Sequence, residues 1–222
     1  MRVNVDLIDR KPPAYIAVEG PIGVGKTTLA RRLAQTFSYE IVLERSDENP
    51  FLERFYRNRS QYALATQLFF LFQRAQQLEK LRQADLFEPV RVADFLLDKD
   101  RLFAEVTLDQ DEFRLYNQVY DRIVLSAPIP DLVIYLQAPV DVLLRRIQQR
   151  GISYEQLIDT AYLETLNEAY SSFFHYFDAS PLLIVNAATI DFAANDNHYS
   201  ELLDAILDTR SGRHYFNRSF LQ

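Results

Sequence analysis

The sequence predicts an α/β fold in which a parallel sheet is covered by helices. Short apolar runs rich in β-branched residues alternate with long segments of helical period along the 222 residues. That alternation is what a sheet buried on both faces requires. Between the first such run and the first helical segment lies Gly20-Pro21-Ile22-Gly23-Val24-Gly25-Lys26-Thr27, which fits G-x-x-x-x-G-K-[ST] in full. The length suits one undivided unit, so residues 1–222 read as a single domain.

Tyr15–Glu19 is the first strand, apolar up to its final acid, and residues 28–37 have helical period. Four further apolar runs, 40–44, 90–94, 131–136 and 182–185, complete an expected five-stranded sheet. Two long helical segments intervene, at about 60–84 and 108–127, and their apolar surface is enough both to cover the sheet and to form a subunit interface. The polar first dozen residues and the Asn/Arg-rich tail after Ser211 look dispensable.

Composition excludes several classes of function. A net charge of −7 argues against a nucleic-acid partner, whose backbone calls for a surplus of Lys and Arg on one face. With no cysteine there are neither disulfides nor thiolate metal sites, and His175, His198 and His214 are too scattered for a zinc site. No apolar run approaches the roughly 20 residues of a membrane span, and Asp6 and Asp9 interrupt the N-terminus where a signal peptide needs an apolar core. A soluble, cytoplasmic protein is expected.

The octapeptide carries the chemistry of a phosphate-binding loop. Gly20, Gly23 and Gly25 let the backbone curl until its N–H groups, including those of Val24 and of Thr28 at the helix start, face phosphate oxygens. Lys26 then reaches the β- and γ-phosphates of ATP, and the Thr27 hydroxyl is placed to ligate Mg²⁺. No GTPase-type N-K-x-D run is present, nor a long apolar strand ending in Asp-Glu, which favours a small-molecule kinase over a GTPase or motor.

Reacting groups in open parallel sheets gather at the carboxyl ends of the strands, where Glu44 and Asp94 fall. Glu44 is assigned to take the proton of an acceptor hydroxyl and Asp94 to hold Mg²⁺. On the first long helix, Gln67 and Arg74 stand two turns apart on a face shared with Leu64, Phe70, Leu71, Leu78 and Leu81. An amide and a guanidinium buried in that stripe need partners. A planar heterocycle would supply them, and so would a closed protein network such as Arg74 with Asp100. Further on, 141–151 reads as a helix ending at Gly151, with Arg146 and Arg150 one turn apart on its inner face, suited to neutralise a transferring phosphoryl group and exclude water.

Together these residues resemble the deoxyribonucleoside kinase family, from about Tyr15 to Phe216, and in particular its bacterial deoxyadenosine and deoxyguanosine kinases. The resemblance implies a three-layer phosphate-loop kinase fold with a helical lid at about 145–160, ATP and Mg²⁺ as cofactors, and a homodimer paired through the long helices. It also implies transfer of a phosphoryl group to the 5′-hydroxyl of a deoxyribonucleoside, with a purine as first choice. In the family's pattern Glu44 is the general base, Tyr56 and Glu155 hold the sugar, and Gln67, Arg74 and Asp100 contact the base. The sequence departs from that pattern where an acid-Arg-Ser triplet is expected, since it reads Asp94-Phe95-Leu96, and where Ile152 replaces a lid Arg. Arg45 is the first candidate for the missing charge, predicting that Arg45→Ala cuts turnover far more than nucleoside binding; Lys99 and Arg101 are the others. The competing readings are a nucleoside monophosphate kinase and a non-catalytic nucleotide-binding regulator.

Overall fold

The computed structural model describes residues 10–83, 90–123 and 128–218. Asp6, Asp9, Ala84, residues 124–127 and the side chain of Leu81 lie outside that set. The strands are β1 (Tyr15–Glu19), β2 (Glu40–Val42), β3 (Arg91–Ala93), β4 (Leu132–Gln137), β5 (Leu182–Asn186) and β6 (Arg213–Phe216). The helices are α1 (Lys26–Phe37), α2 (Leu52–Arg57), α3 (Arg59–Gln83), α4 (Lys99–Thr107), α5 (Gln110–Ile123), α6 (Val140–Arg150), α7 (Thr160–Tyr176) and α8 (Asp196–Asp208).

The sheet is parallel throughout, in the order β2-β3-β1-β4-β5-β6. Its sixth strand corrects the expected five: β6 pairs in register with β5, from Leu182 opposite Arg213 to Val185 opposite Phe216. Residues 213–216 of the tail after Ser211 therefore belong to the sheet. Three of the four β6 residues are exposed, so the strand carries no apolar alternation by which to be recognised. The expected helix at 108–127 also begins later and is preceded by a separate helix. Asp109 separates α4 from α5, its carboxylate accepting from the Asp111 and Glu112 N–H groups, which caps the new helix. At the N-terminus, Arg10 pairs with Asp204 on α8 at 2.9 Å, so the end of the polar first dozen is docked.

Helices flank the sheet because each presents an apolar stripe to it. From α1 come Leu29 and Leu33, fully buried, and α7 lays Phe174 on Tyr135 of β4 with ring centroids 4.0 Å apart. A second cluster gathers Leu71 and Leu78 of α3, Tyr116 and Tyr120 of α5, and Phe95. β1 is the centre of the arrangement: its neighbours are β3 on one side and β4 on the other, and the order in which successive strands are added reverses there. A crevice opens beyond the carboxyl end of β1 at that reversal, the usual ligand position in such sheets.

Candidate active site

The loop leaving β1 is shaped by close contact with the elements around it. Gly20 has φ +150°, and a Cβ there would stand 2.4 Å from the carbonyl oxygen of Leu136 in β4. Gly23, at φ +81°, lies so close to α6 that a Cβ would come within 2.8 Å of Ile147. Both positions need glycine. Lys26 curls back so that its ammonium donates to the carbonyls of Gly20 at 2.7 Å and Pro21 at 3.2 Å. Burial, followed by the neighbouring Lys99 charge, lowers the Lys26 pKa to about 8.

The ladders of β2 and β3 stop just short of Glu44 and Asp94. Asp94 N–H donates to the Val42 carbonyl, and the Asp94 carboxylate accepts from Glu44 N–H at 2.7 Å and from the Thr27 hydroxyl at 2.5 Å. One carboxylate thus ties the end of β2 to the start of α1. Burial raises the Asp94 pKa, with the Thr27 hydrogen bond opposing. The donor set here, a hydroxyl and a carboxylate beside a phosphate cradle, is all oxygen and suits Mg²⁺, which takes one or two protein ligands and the rest from phosphates and water.

Loop, Glu44, Tyr56, Gln67, Arg74, Asp94, Arg146, Arg150 and Glu155 line one cavity of about 570 Å³. Gly20, buried just after the last residue of β1, and Asp100, ion-paired to Arg74, are not among the lining residues. Gln67 and Arg74 are each only 3% exposed although polar. Gln67 donates its amide N–H to the Thr107 hydroxyl at 3.3 Å, and Arg74 bridges Asp100 and Glu44, the latter at 2.8 Å. Protein partners therefore close one side of the network, and Gln67 and Arg74 also line the cavity. Burial would push the Glu44 carboxyl up, but Arg74, Lys99 and Lys26 outweigh it and hold the group well below the usual carboxylate range.

The inner face of α6 carries Arg146, which donates to the carbonyls of Val24 at 3.0 Å and Ala187 at 2.8 Å. Arg150 pairs with Glu155 at 2.5 Å, and burial raises the Glu155 pKa against that cation. Glu155 belongs to a single 3-10 segment, Ser153–Leu157, whose Tyr154 stacks on Tyr56 with centroids 6.0 Å apart.

The family model described as deoxynucleoside kinase matches residues 16–210. The chain belongs to the deoxynucleoside kinase family. It is 36% identical over 194 residues to a deoxyguanosine kinase of Bacillus subtilis, covering 85% of this chain and 93% of that one. To a deoxyadenosine kinase of Lactobacillus acidophilus it is 30% identical over 205 residues, covering 86% and 94%. Its fold matches the M. mycoides deoxyadenosine kinase solved with bound dATP at a TM-score of 0.75 and 30% identity, covering 87% and 99%. Nucleotide binding and phosphoryl transfer are thus the business of this fold.

Among the charged candidates raised by the missing Arg, the structure separates three positions clearly. The Arg45 side chain is 62% exposed, pairs with Glu48 at 3.1 Å and is not among the residues that line the cavity. Arg101 is exposed as well. Lys99 is buried, with its ammonium 2.5 Å from Glu44. Sequence reasoning also passed over Glu19, which is fully buried and accepts from Gly20 N–H, Leu96 N–H and the Tyr170 hydroxyl. A charged residue closing an otherwise apolar strand was the available signal. Phe103, lining the cavity beside Gln67, gave none, because an aromatic at helical period reads as core.

Proposed function

We propose that this kinase transfers the γ-phosphoryl group of ATP, carried with Mg²⁺, to the 5′-hydroxyl of a purine deoxyribonucleoside, giving a monophosphate and ADP. One observation carries the reading: a single cavity joins a phosphate loop to a carboxylate, Glu44, held by cations, with the amide of Gln67 and the guanidinium of Arg74 beyond it. Glu44 accepts the hydroxyl proton as the new O–P bond forms and the bond from phosphorus to the ADP oxygen breaks. Lys26, Arg146 and Arg150 offset the charge spread over the transferring group. Thr27 and Asp94 hold Mg²⁺, which neutralises phosphate charge when bound.

Tyr56 and Glu155 take the sugar, while Gln67 and Arg74, the latter oriented by Asp100, read the base. Gln67 donates one amide N–H to the Thr107 hydroxyl, and its carbonyl oxygen offers the base an acceptor. Deoxyguanosine and deoxyadenosine kinases among the relatives support the purine choice. Residues 1–222 act as one domain in which about 145–160 close as a lid, and two copies pair through the long helices as a cytoplasmic homodimer. No helix among the described residues is long and apolar enough to cross a membrane. The test is ADP release from ATP as each deoxynucleoside is added in turn, with the corresponding monophosphates as controls. Release is expected with deoxyguanosine or deoxyadenosine; release with monophosphates alone, or with nothing, contradicts the reading.

A further inference from the structure

Glu44 is gripped asymmetrically. Both Arg74, at 2.8 Å, and Lys99, at 2.5 Å, donate to its Oε2, and among the described residues Oε1 accepts no hydrogen bond. Lys99 sits at the start of α4, 3% exposed, and its ammonium also lies 3.7 Å from Oε2 of Glu19. Glu19 is itself immobilised by two backbone N–H groups and the Tyr170 hydroxyl. Charges therefore alternate along a chain, Asp100, Arg74, Glu44, Lys99, Glu19, that is anchored at its Glu19 end. In such a chain each charge is positioned by its neighbours, and loss of an inner member leaves others unpaired.

Position 95 contributes no charge to this chain. Phe95 is fully buried in the cluster formed with Leu71, Leu78 and Tyr116, and its ring faces the Arg74 guanidinium at 5.8 Å. Four residues later the chain enters α4, and that turn delivers the Lys99 ammonium to Oε2 of Glu44.

We propose that Lys99 is a positioning residue for phosphoryl transfer: it replaces the cation missing at Phe95, and by holding Oε2 it leaves Oε1 of Glu44 as the atom that takes the 5′-hydroxyl proton. This rests on Glu44 being the proton acceptor. No proton moves through Lys99; the proton passes from the hydroxyl to Oε1 as the O–P bond forms and the bond from phosphorus to the ADP oxygen breaks.

The experiment compares Lys99→Met, Lys99→Arg, Lys99→Ala and Glu44→Gln by steady-state kinetics, with ATP binding by calorimetry to establish that each variant is folded. Lys99→Met is expected to lower kcat by about tenfold or more while the KM values stay within about threefold, the split expected when an interaction serves the transition state. Lys99→Arg, which keeps a cation within reach of Oε2, is expected to recover most of that loss. Propylammonium ion added to Lys99→Ala is expected to raise kcat in a saturable way. Unchanged turnover in Lys99→Met overturns the assignment, as does equal loss in the folded Met and Arg variants with no rescue by amine. If Glu44→Gln is inactive in those same circumstances, the failure belongs to Lys99 alone; if Glu44→Gln turns over normally, the reading of Glu44 falls and takes this inference with it.

Discussion

At one end of the cavity a contiguous octapeptide offers mainly backbone N–H groups; at the other, five ionised side chains from four separate segments meet in a chain of alternating charge. The phosphate end depends on local conformation: glycines permit it and β4 and α6 press against it. The acceptor end depends on tertiary placement, since Glu19 arrives with β1, Glu44 with the loop after β2, Arg74 with α3, and Lys99 and Asp100 with α4. A backbone cradle tolerates change in nearly every side chain except its glycines and Lys-Thr. An ionic chain tolerates little, because each buried charge is compensated by a specific neighbour.

The largest effect that would separate the two ends is on stability. Removing Asp100 leaves the Arg74 guanidinium buried with one counter-charge instead of two, and Asp100→Ala should cost about 3–5 kcal/mol by chemical denaturation. A cost below about 1 kcal/mol would mean that water or other groups compensate Arg74 and that the chain is looser than its geometry. At the phosphate end, Gly20→Ala forces a Cβ against the Leu136 carbonyl oxygen. The expected loss is about 1–3 kcal/mol, together with weaker ATP binding.

The pH dependence sharpens the contrast. Lys26 titrates at about 8 in the nucleotide-free protein, below its ordinary 10.5. Between those values the unfolded chain holds more protons than the folded one, so this group makes stability rise with pH through that window; below it the full cost of burying the charged form applies. Its ability to attract phosphate moves the opposite way, and kcat/KM for ATP should fall by up to about tenfold per pH unit above 8. A flat profile to pH 9.5 would show that the ammonium is better compensated than its burial implies. The smallest effect belongs to Arg45→Ala, expected to alter stability by less than about 0.5 kcal/mol and to leave turnover unchanged, because the side chain is exposed and, among the described residues, ion-paired with Glu48 alone. A large fall in turnover would return Arg45 to the site.

What the sequence disclosed follows the same division. The loop was legible because its residues are consecutive, and Glu44 and Asp94 because strand ends in a parallel sheet converge on one crevice. Gln67 and Arg74 stood out as polar groups on an apolar stripe. Lys99 was harder to single out, for Asp98-Lys99-Asp100-Arg101 reads as a solvated charge run. Only the packing of α4 divides it into the buried Lys99 and Asp100 and the exposed Arg101. Arg45 was singled out from its nearness to Glu44 in sequence, but β2 ends at Val42 and the chain turns at Arg45 into a 3-10 segment, which leaves its side chain exposed and paired with Glu48. β6 was missed because an exposed edge strand lacks the alternation that marks a half-buried one.

The most direct test of the division between the two ends is Glu44→Gln, measured twice on one preparation: ATP affinity by calorimetry, and ADP formation with a saturating purine deoxynucleoside. The substitution keeps the shape of Glu44 and removes its charge. The account predicts an ATP Kd within about threefold of the unaltered protein and turnover lower by roughly 10²–10⁴. Turnover close to that of the unaltered protein, or ATP binding lost along with turnover, would contradict it.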